Sequence, residues 1–314
     1  MNKPRRIFLS QISLMAGTAA FSKPMASAAV LSKHINTLHA AKSAVTVYHT
    51  NDINGNINTV LKNQGGLELI KTELQKQETS GLLLDAGNFM NSRQDLYHQK
   101  QVISMMNGMG YHAAAVGSHE LLMEQYQLAA LAPLMKFALL NCNYEFTGGL
   151  KHVVKPFTII TAGSFKIGVT AVGSQINGIR YNDAIASANK IANSLKNDEK
   201  CDLVICLSNL GYMRDGDMPD NHKLAEQSEN IDLIVGSNTD KLMINSMVLR
   251  NKLKNEVILA QTAWHGLMMG RTVINFNNDK QRNGLNTKHI IPGMQPKSFA
   301  AAFADFELAK PRSV

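Results

Sequence analysis

Short apolar runs that end in polar residues recur along this chain. The stretch Val45–Asn58 begins as an alternating apolar strand and then breaks into a polar turn that carries Asp52 and Asn54. Four later runs repeat the pattern, and the polar residues at their ends are Asn88, Ser118 with His119, Asn209, and Asn238 with Asp240. Ligands of open α/β sheets bind at the carboxyl ends of parallel strands. The pattern therefore predicts five strand ends that direct polar groups toward one site.

Alternating strand and helix patterns fill the first half of the chain. The predicted elements are a strand at 45–50, a helix after Gly65-Gly66, a strand at 82–86, a helix at 94–108, a strand at 113–116, a helix around 121–131 and a strand at 135–141. Strands that alternate with helices in this way indicate a parallel sheet flanked by helices.

The second half of the chain predicts a second sheet. Gly163-Ser164 separates two apolar strands and is typical of a hairpin turn. The later predicted elements are a helix at 183–196, a strand at 202–207, a helix at 221–228, strands at 231–235, 245–249, 256–261 and 269–276, and a helix at 298–308. No internal repeat or low-complexity linker interrupts the pattern, so we expect one two-sheet α/β domain over residues 45–314.

Composition and charge are those of an ordinary soluble globular protein, with 45% hydrophobic and 18% charged residues in 314. The net charge of +8 is concentrated at the N-terminus, because residues 1–28 contain four basic residues and no acid. The remainder carries only +4, from 28 basic and 24 acidic residues. It contains no run of Lys and Arg, so we expect no nucleic-acid partner.

Residues 1–28 have the architecture of an export signal. A basic head and a short apolar stretch lead to a small-residue exit at Ala26-Ser27-Ala28. Arg5-Arg6 followed by Phe8-Leu9 is typical of a twin-arginine signal, and a general secretory signal is the alternative. We expect a periplasmic or exported protein with no membrane association after signal removal, in which residues 29–44 form a polar lead-in.

Eight sequence blocks, in order over about residues 45–275, resemble those of the calcineurin-like metallophosphatases, and in particular the N-terminal domain of bacterial 5'-nucleotidases. The blocks are YHTNDINGNI, QGGLELIKTEL, LLLDAGN, MNGMGYHAAAVGSHE, KPFTIITAGSFKIGVTAVGS, LVICLSNLG, IDLIVGSN and AQTAWHGLMMGR. The resemblance implies a four-layer α/β/β/α sandwich. It also implies a site at which two divalent metals clamp a phosphoester during in-line displacement.

Six of the eight functional positions of that family carry other residues here, and only Asp52 and His119 match. The pattern expects histidine at position 54, the metal-bridging aspartate at 88, asparagine at 118, and histidine at 209, 238 and 240. The chain carries Asn54, Asn88, Ser118, Asn209, Asn238 and Asp240 at these positions. Two closely spaced divalent ions need anionic ligands around them, and a neutral amide at 88 cannot act as the bridging carboxylate.

Two hypotheses follow for this altered site. In the first, the protein is a non-catalytic binding or partner module, and the asparagines serve as turn and cap residues. In the second, Asp52, Asp240 and the amide oxygens hold one hard divalent cation, Ca²⁺, Mg²⁺ or Mn²⁺, and His119 acts as general acid in weak phosphoester hydrolysis. The reduced site of the second hypothesis could equally hold a phosphate-bearing small molecule without cleaving it.

The second domain of the full-length 5'-nucleotidases has no counterpart before Val314, so a separate chain that supplies it is a predicted partner. His265 lies in a block that the resemblance places near the site. We expect His49 to be a core or strand-end residue and Asp85 to orient its loop through hydrogen bonds. Cys142, Cys201 and Cys206 form no metal-type pair and are expected to be buried thiols.

Overall fold

The computed structural model describes residues 37–38, 43–61, 63–91, 95–122, 125–243, 245–293, 299–308 and 310. The predicted export signal at 1–28 lies outside the described residues. Within the predicted lead-in, the described residues Thr37–Leu38 form a short strand, β1. Strands and helices are numbered along the chain.

Sheet I contains seven strands. They are β2 (Ala44–Thr50), β3 (Leu82–Asp85), β4 (Ala113–Ala115), β5 (Ala138–Leu140), β7 (Val154–Lys155), β15 (Met269–Phe276) and β16 (Arg282–Ile290). Their order across the sheet is β16-β15-β2-β3-β4-β5-β7. The strands from β2 to β7 run parallel, which confirms the parallel arrangement expected from the alternating pattern. β15 is antiparallel to both of its neighbours.

Helices cover the outer face of sheet I. They are α1 (Leu67–Lys76), α2 (Leu96–Met109), α3 (Ser118–Leu121), α4 (Gln125–Leu131) and α5 (Leu150–Val153). The single helix predicted around 121–131 is thus two helices, and the first begins at Ser118. The strand predicted at 135–141 starts only at Ala138, because Pro133 lies in a short 3-10 turn, Ala132–Leu134, that precedes it.

Sheet II contains β1 and six further strands. These are β8 (Phe157–Ala162), β9 (Phe165–Gly173), β11 (Leu203–Asn209), β12 (Leu233–Gly236), β13 (Met247–Arg250) and β14 (Glu256–Gln261). Their order is β1-β8-β9-β11-β12-β14-β13. β8 and β9 form the hairpin predicted at Gly163-Ser164. The helices beside this sheet are α6 (Ala184–Asn197) and α7 (Asn221–Gln227), and a separate small ribbon pairs β6 (Tyr144–Glu145) with β10 (Arg180–Tyr181).

The two sheets pack face to face, and the resulting layers confirm the expected α/β/β/α sandwich. Val47, Leu84, Ile205 and Val235 are fully buried between the sheets. Each side chain of this kind contributes roughly 1.5–3 kcal/mol by leaving water. A last helix, α8 (Phe299–Leu308), buries apolar side chains beside the loop that follows β14. Among the described ranges, no helix is long and apolar enough to cross a membrane.

Two glycines give a matched test of how tightly the backbone is held. Gly66 precedes α1 with φ of +81°, and a Cβ there would lie 2.2 Å from the carbonyl oxygen of Asn58. Gly108 lies within α2, and a Cβ there would meet nothing within 4 Å. We predict that Gly66→Ala lowers the free energy of unfolding by about 2 kcal/mol or more. Gly108→Ala should raise it by about 0.5–1 kcal/mol, because alanine is the better helix former.

Urea denaturation of the two variants and the wild-type protein measures both changes. A Gly66→Ala protein as stable as the wild type would contradict the close backbone approach at this turn.

Candidate functional site

The carboxyl ends of the parallel strands of both sheets meet at one edge of the sandwich. Hydrogen bonds tie the two sheets together there. Ser237, after β12 in sheet II, donates its hydroxyl to the carbonyl oxygen of Ala86 at 2.7 Å, just after β3 in sheet I. Thr262, after β14, donates its backbone N–H and its hydroxyl to Oδ1 of Asn51 at 2.8 and 2.7 Å. We call the predicted residues gathered here the strand-end site, formed by Asp52, Asn54, Asn88, Ser118, Asn209 and Asn238.

Asp52 is the centre of the strand-end site, and its side chain is buried with 4% of its surface exposed. Its Oδ1 accepts a hydrogen bond from Nδ2 of Asn88 at 2.8 Å, and its Oδ2 accepts one from Nδ2 of Asn51 at 3.0 Å. The backbone N–H of Asn238 donates to both oxygens, at 3.1 and 3.0 Å. Three N–H donors from both sheets thus make four contacts with the carboxylate, because its two oxygens share the N–H of Asn238.

Asn88 links Asp52 to the strand end that follows β4. Its Oδ1 accepts hydrogen bonds from the Ser118 hydroxyl at 3.2 Å and from the backbone N–H of His119 at 3.0 Å. Because its Nδ2 donates to Asp52, both ends of the amide are engaged. The position that the resemblance assigns to a bridging carboxylate is therefore a hydrogen-bond donor toward its neighbour.

Asn209 and Asn238 close the network from the side of sheet II. Oδ1 of the buried Asn209 accepts from the backbone N–H of Ser118 at 3.1 Å, and its Nδ2 donates to the hydroxyl of Ser237. Asn238 donates Nδ2 to the carbonyl oxygen of Asn209 at 3.3 Å. Amide side chains therefore supply most of the polar contacts that hold this edge together.

The backbone explains why asparagine suits several of these positions. Asp52, Asn54, Asn88 and Asn238 have φ between 52° and 60°, in the left-handed region. Among residues with a side chain, Asn and Asp visit this region most readily, because their short polar groups bond locally. The expectation that the asparagines act as turn residues is met at these positions.

His265, which the resemblance placed near the site, lies beside Asn54. Its backbone N–H donates to the carbonyl oxygen of Asp52 at 2.7 Å. Its Nδ1 lies 2.9 Å from Nδ2 of Asn56, and that amide also donates to the carbonyl oxygen of Ile53 at 2.8 Å. The amides of Asn54 and Asn56 both lie within hydrogen-bond distance of this nitrogen. Burial lowers the pKa of His265 to about 4, and His119 adds to the lowering.

Asp240, the other predicted acidic ligand, lies apart from this network among the described residues. Its side chain is 60% exposed and pairs with Nζ of Lys310 at 3.3 Å, just beyond α8. Asn54, in contrast, is buried, and its Oδ1 has no hydrogen-bond partner within the described structure.

Sequence reasoning missed Glu120, which holds the loops around the site in place. The side chain is fully buried. Its Oε2 accepts from the backbone N–H groups of Asn88 at 3.0 Å and Gly117 at 2.8 Å, and its Oε1 accepts from that of Met90 at 2.9 Å. A glutamate three residues after the N-cap residue, here Gly117 of α3, is a capping signal that could have identified it. Asn51, which bridges the sheets, carries no comparable signal in the sequence.

Three buried carboxylates, Asp52, Asp85 and Glu120, lie at this edge. Burial raises the pKa of Asp52 to about 6 and that of Glu120 to about 7. Burial also raises the pKa of Asp85, and the other two charges add to the rise. As predicted, Asp85 orients its loop, by accepting hydrogen bonds from the Thr50 hydroxyl at 2.6 Å and the backbone N–H of Gly87 at 2.8 Å.

The remaining candidates lie in the core. His49 is buried in β2 against Gly270, and burial together with His289 lowers its pKa to about 3. Cys201 and Cys206 are buried thiols, Cys142 is half-buried, and none forms a disulfide. Within the part of the chain that the structure describes, no three His, Cys, Asp or Glu side chains are grouped so that they could hold a metal ion.

No family model matches the chain. Its similar curated proteins include two phosphoesterases. The trifunctional nucleotide phosphoesterase protein YfkN of Bacillus subtilis (strain 168) is 24% identical over 278 residues, which cover 74% of this chain and 18% of that protein. The 5'-nucleotidase of Vibrio cholerae is 24% identical over 274 residues, which cover 74% of this chain and 49% of that protein. The chain thus spans about half or less of the length of these relatives.

Two solved structures share the fold of this chain at low sequence identity. The 5'-nucleotidase precursor from Thermus thermophilus matches with a TM-score of 0.69 at 20% identity, over 85% of this chain and 59% of that chain. The calcineurin-like phosphoesterase YfkN from Bacillus subtilis matches with a TM-score of 0.63 at 18% identity, over 80% and 91%. This chain is a homologue of the 5'-nucleotidases and calcineurin-like phosphoesterases, and it has their metallophosphatase fold.

Proposed function

We propose that this chain is an exported metallophosphatase-fold protein that acts as a binding or partner module without phosphoester turnover. The observation that carries the proposal is the hydrogen bond from Nδ2 of Asn88 to Oδ1 of Asp52, at 2.8 Å. In a two-metal site these two positions would both supply anionic oxygens to the ions. Here Asn88 donates a hydrogen bond to Asp52, so each side chain satisfies its neighbour directly.

The donor set of the strand-end site does not fit a pair of divalent metals. Both oxygens of Asp52 already accept two hydrogen bonds each, and Oδ1 of Asn88 also accepts two. The imidazole ligands that suit zinc, iron and manganese are replaced by Asn54, Asn209, Asn238 and Asp240. We therefore derive no catalytic step through metal ions for this chain.

The alternative, weak hydrolysis with one oxygen-bound divalent ion, has a single structural point in its favour. Oδ1 of Asn54 is a buried acceptor without a partner in the described part of the chain. One amide oxygen is a weak site for a hard cation, which takes six or more oxygen ligands, several of them charged. Asp240, which the alternative needs as the second anionic ligand, pairs with Lys310 instead.

The surface around the site supports a role in docking a partner. Leu96 and Tyr97 at the start of α2, and Leu122 and Tyr126 near α3 and α4, are exposed apolar residues, and the two tyrosines are 71% and 70% exposed. These helices follow the strands whose ends form the site, so their first turns lie at that end of sheet I. We call these four residues the apolar rim. A separate chain equivalent to the second domain of the longer relatives is the partner that we propose for it.

The ligand that we propose for the site is a phosphate-bearing small molecule. The names of the similar proteins, a nucleotide phosphoesterase and a 5'-nucleotidase, support this ligand class. Export through a twin-arginine signal is part of the same proposal. Its support is the sequence of residues 1–28, together with the description of the similar Thermus thermophilus protein as a precursor.

Metal content and turnover test the proposal directly. We predict that protein purified without chelator contains much less than one equivalent of any divalent metal. We also predict that Ca²⁺, Mg²⁺ and Mn²⁺ do not raise its melting temperature, and that it does not hydrolyse nucleoside 5'-monophosphates with any of them. Elemental analysis, thermal shift and phosphate release provide the three measurements. Stoichiometric metal that is lost in Asp52→Ala and in Asp240→Ala would support the single-metal hydrolase instead.

The stability of two alanine variants tests whether Asp52 is part of a buried structural network or a solvated ligand. Asp52→Ala leaves Nδ2 of Asn51, Nδ2 of Asn88 and the N–H of Asn238 without their acceptor. We predict a loss of about 1–3 kcal/mol in the free energy of unfolding, measured by urea denaturation in EDTA. Asp240→Ala removes only an exposed ion pair and should cost less than about 1 kcal/mol. Equal losses in the two variants would argue against the buried network.

The buried carboxylates predict a pH dependence of stability. The pKa of Glu120 is about 7 and that of Asp52 about 6 in the folded protein, whereas unfolded carboxyls titrate near about 4. The folded state therefore binds more protons than the unfolded state between these values, and stability falls as pH rises. We predict a decrease of at least about 1 kcal/mol in the free energy of unfolding from pH 5 to pH 8 in EDTA.

Glu120→Gln should reduce this slope because it removes one titrating group. A stability that rises over the same pH range would show that the carboxylates have the opposite shift.

A further inference from the structure

Arg214 lies beside the strand-end site and has no role in the network described above. It follows the end of β11 by five residues and packs on Gly211. A Cβ at Gly211 would lie 2.7 Å from Nε and 3.2 Å from Nη2 of Arg214, and 2.9 Å from the carbonyl oxygen of Asn238. Position 211 must therefore lack a side chain for the guanidinium to occupy this place next to Asn238.

Arg214 is half-buried, yet no carboxylate of the described residues forms an ion pair with its guanidinium. The neighbouring base Lys223 pairs with Asp220 at 3.4 Å, and Lys241 donates to the carbonyl oxygen of Met213 at 3.2 Å. Asp215 and Asp217 follow Arg214 in the chain and are exposed. A half-buried guanidinium offers five N–H donors and is stabilised when an anion accepts from them.

The polar groups near Arg214 bond to other groups of the protein. The phenols of Tyr144 and Tyr181 lie within its electrostatic reach, since its charge counteracts the burial that raises both of their pKa values. Nδ2 of Asn238 lies 3.4 Å from the Ser174 hydroxyl. That amide also donates to the carbonyl oxygen of Asn209 at 3.3 Å, and the Tyr144 phenol donates to the carbonyl oxygen of Ser174. An anion here would therefore take its hydrogen bonds from the guanidinium of Arg214.

We propose that Arg214 anchors the phosphate group of a small-molecule ligand at the sheet II side of the strand-end site, without a metal ion. This inference rests on the proposed function and adds to it the residue that holds the ligand and the means of holding it. A pair of divalent metal ions and a guanidinium can each attract a phosphate. Arg214 does so through directed hydrogen bonds from one monovalent group.

Calorimetric titration of the whole protein with inorganic phosphate and with phenyl phosphate, both in EDTA, tests the inference. We expect saturable binding by the wild-type protein. Arg214→Gln should weaken it by about tenfold or more, because a charge-assisted bidentate contact is lost. Arg180→Gln is the matched control, since Arg180 is 84% exposed and pairs with Glu145 on the surface. This control should bind as the wild type does.

Circular dichroism and the melting temperature without ligand establish that Arg214→Gln is folded. Phosphate should raise the melting temperature of the wild-type protein and of Arg180→Gln, but not that of Arg214→Gln. The inference is overturned by absence of binding in EDTA, by binding that requires an added divalent metal, or by equal weakening in both arginine variants. Phenol release is measured in parallel samples with Mn²⁺. Hydrolysis there would refute the non-catalytic function. Lack of binding without hydrolysis would refute the role of Arg214 and the proposed phosphate ligand, but not the absence of turnover.

Discussion

The buried carboxylate of Asp52 sets the constraint on which the strand-end site depends. A charge with so little exposed surface must be compensated by directed donors, and a single loop cannot supply enough of them. Asn51 and Asn88 donate from sheet I, and Asn238 donates from sheet II. The sheets must therefore meet at a defined offset, and the chain must turn through left-handed conformations at the strand ends so that these groups face inward.

The neutral amide of Asn88 avoids a further negative charge at an edge that already holds three buried carboxylates. Asp52, Asp85 and Glu120 already share this edge, and burial raises the pKa of each. An aspartate at 88 would place another carboxylate 2.8 Å from Oδ1 of Asp52, where like charges cannot both ionise without a cation between them. Asn88 removes that repulsion and adds a donor. The residue that departs most sharply from the phosphatase pattern is thus the one that makes the remaining carboxylates compatible.

The fold was predictable because its main signals are local, whereas the site was predictable only in part. Apolar periodicity predicted most strands, and the polar residue after each strand predicted which positions would gather. The strand β16 was missed because its sequence, RNGLNTKHI, is polar and contains glycine, so that its pairing with β15 decides its conformation. The contacts of Asp240 with Lys310 and of Asn51 with Thr262 join distant segments, so no local sequence pattern predicts them.

Ligand and partner would act on the same end of the molecule, and this proximity has an energetic consequence. Arg214 is half-buried beside the site, and the apolar rim lies on the helices that begin at that end of sheet I. A chain docked on Tyr97 and Tyr126 would exclude water from the strand ends. The attraction between the guanidinium and a bound phosphate grows as the local dielectric constant falls. Since coupling between two binding events is reciprocal, the phosphate would in turn strengthen docking. Partner recognition that depends on a small ligand would then need no catalysis.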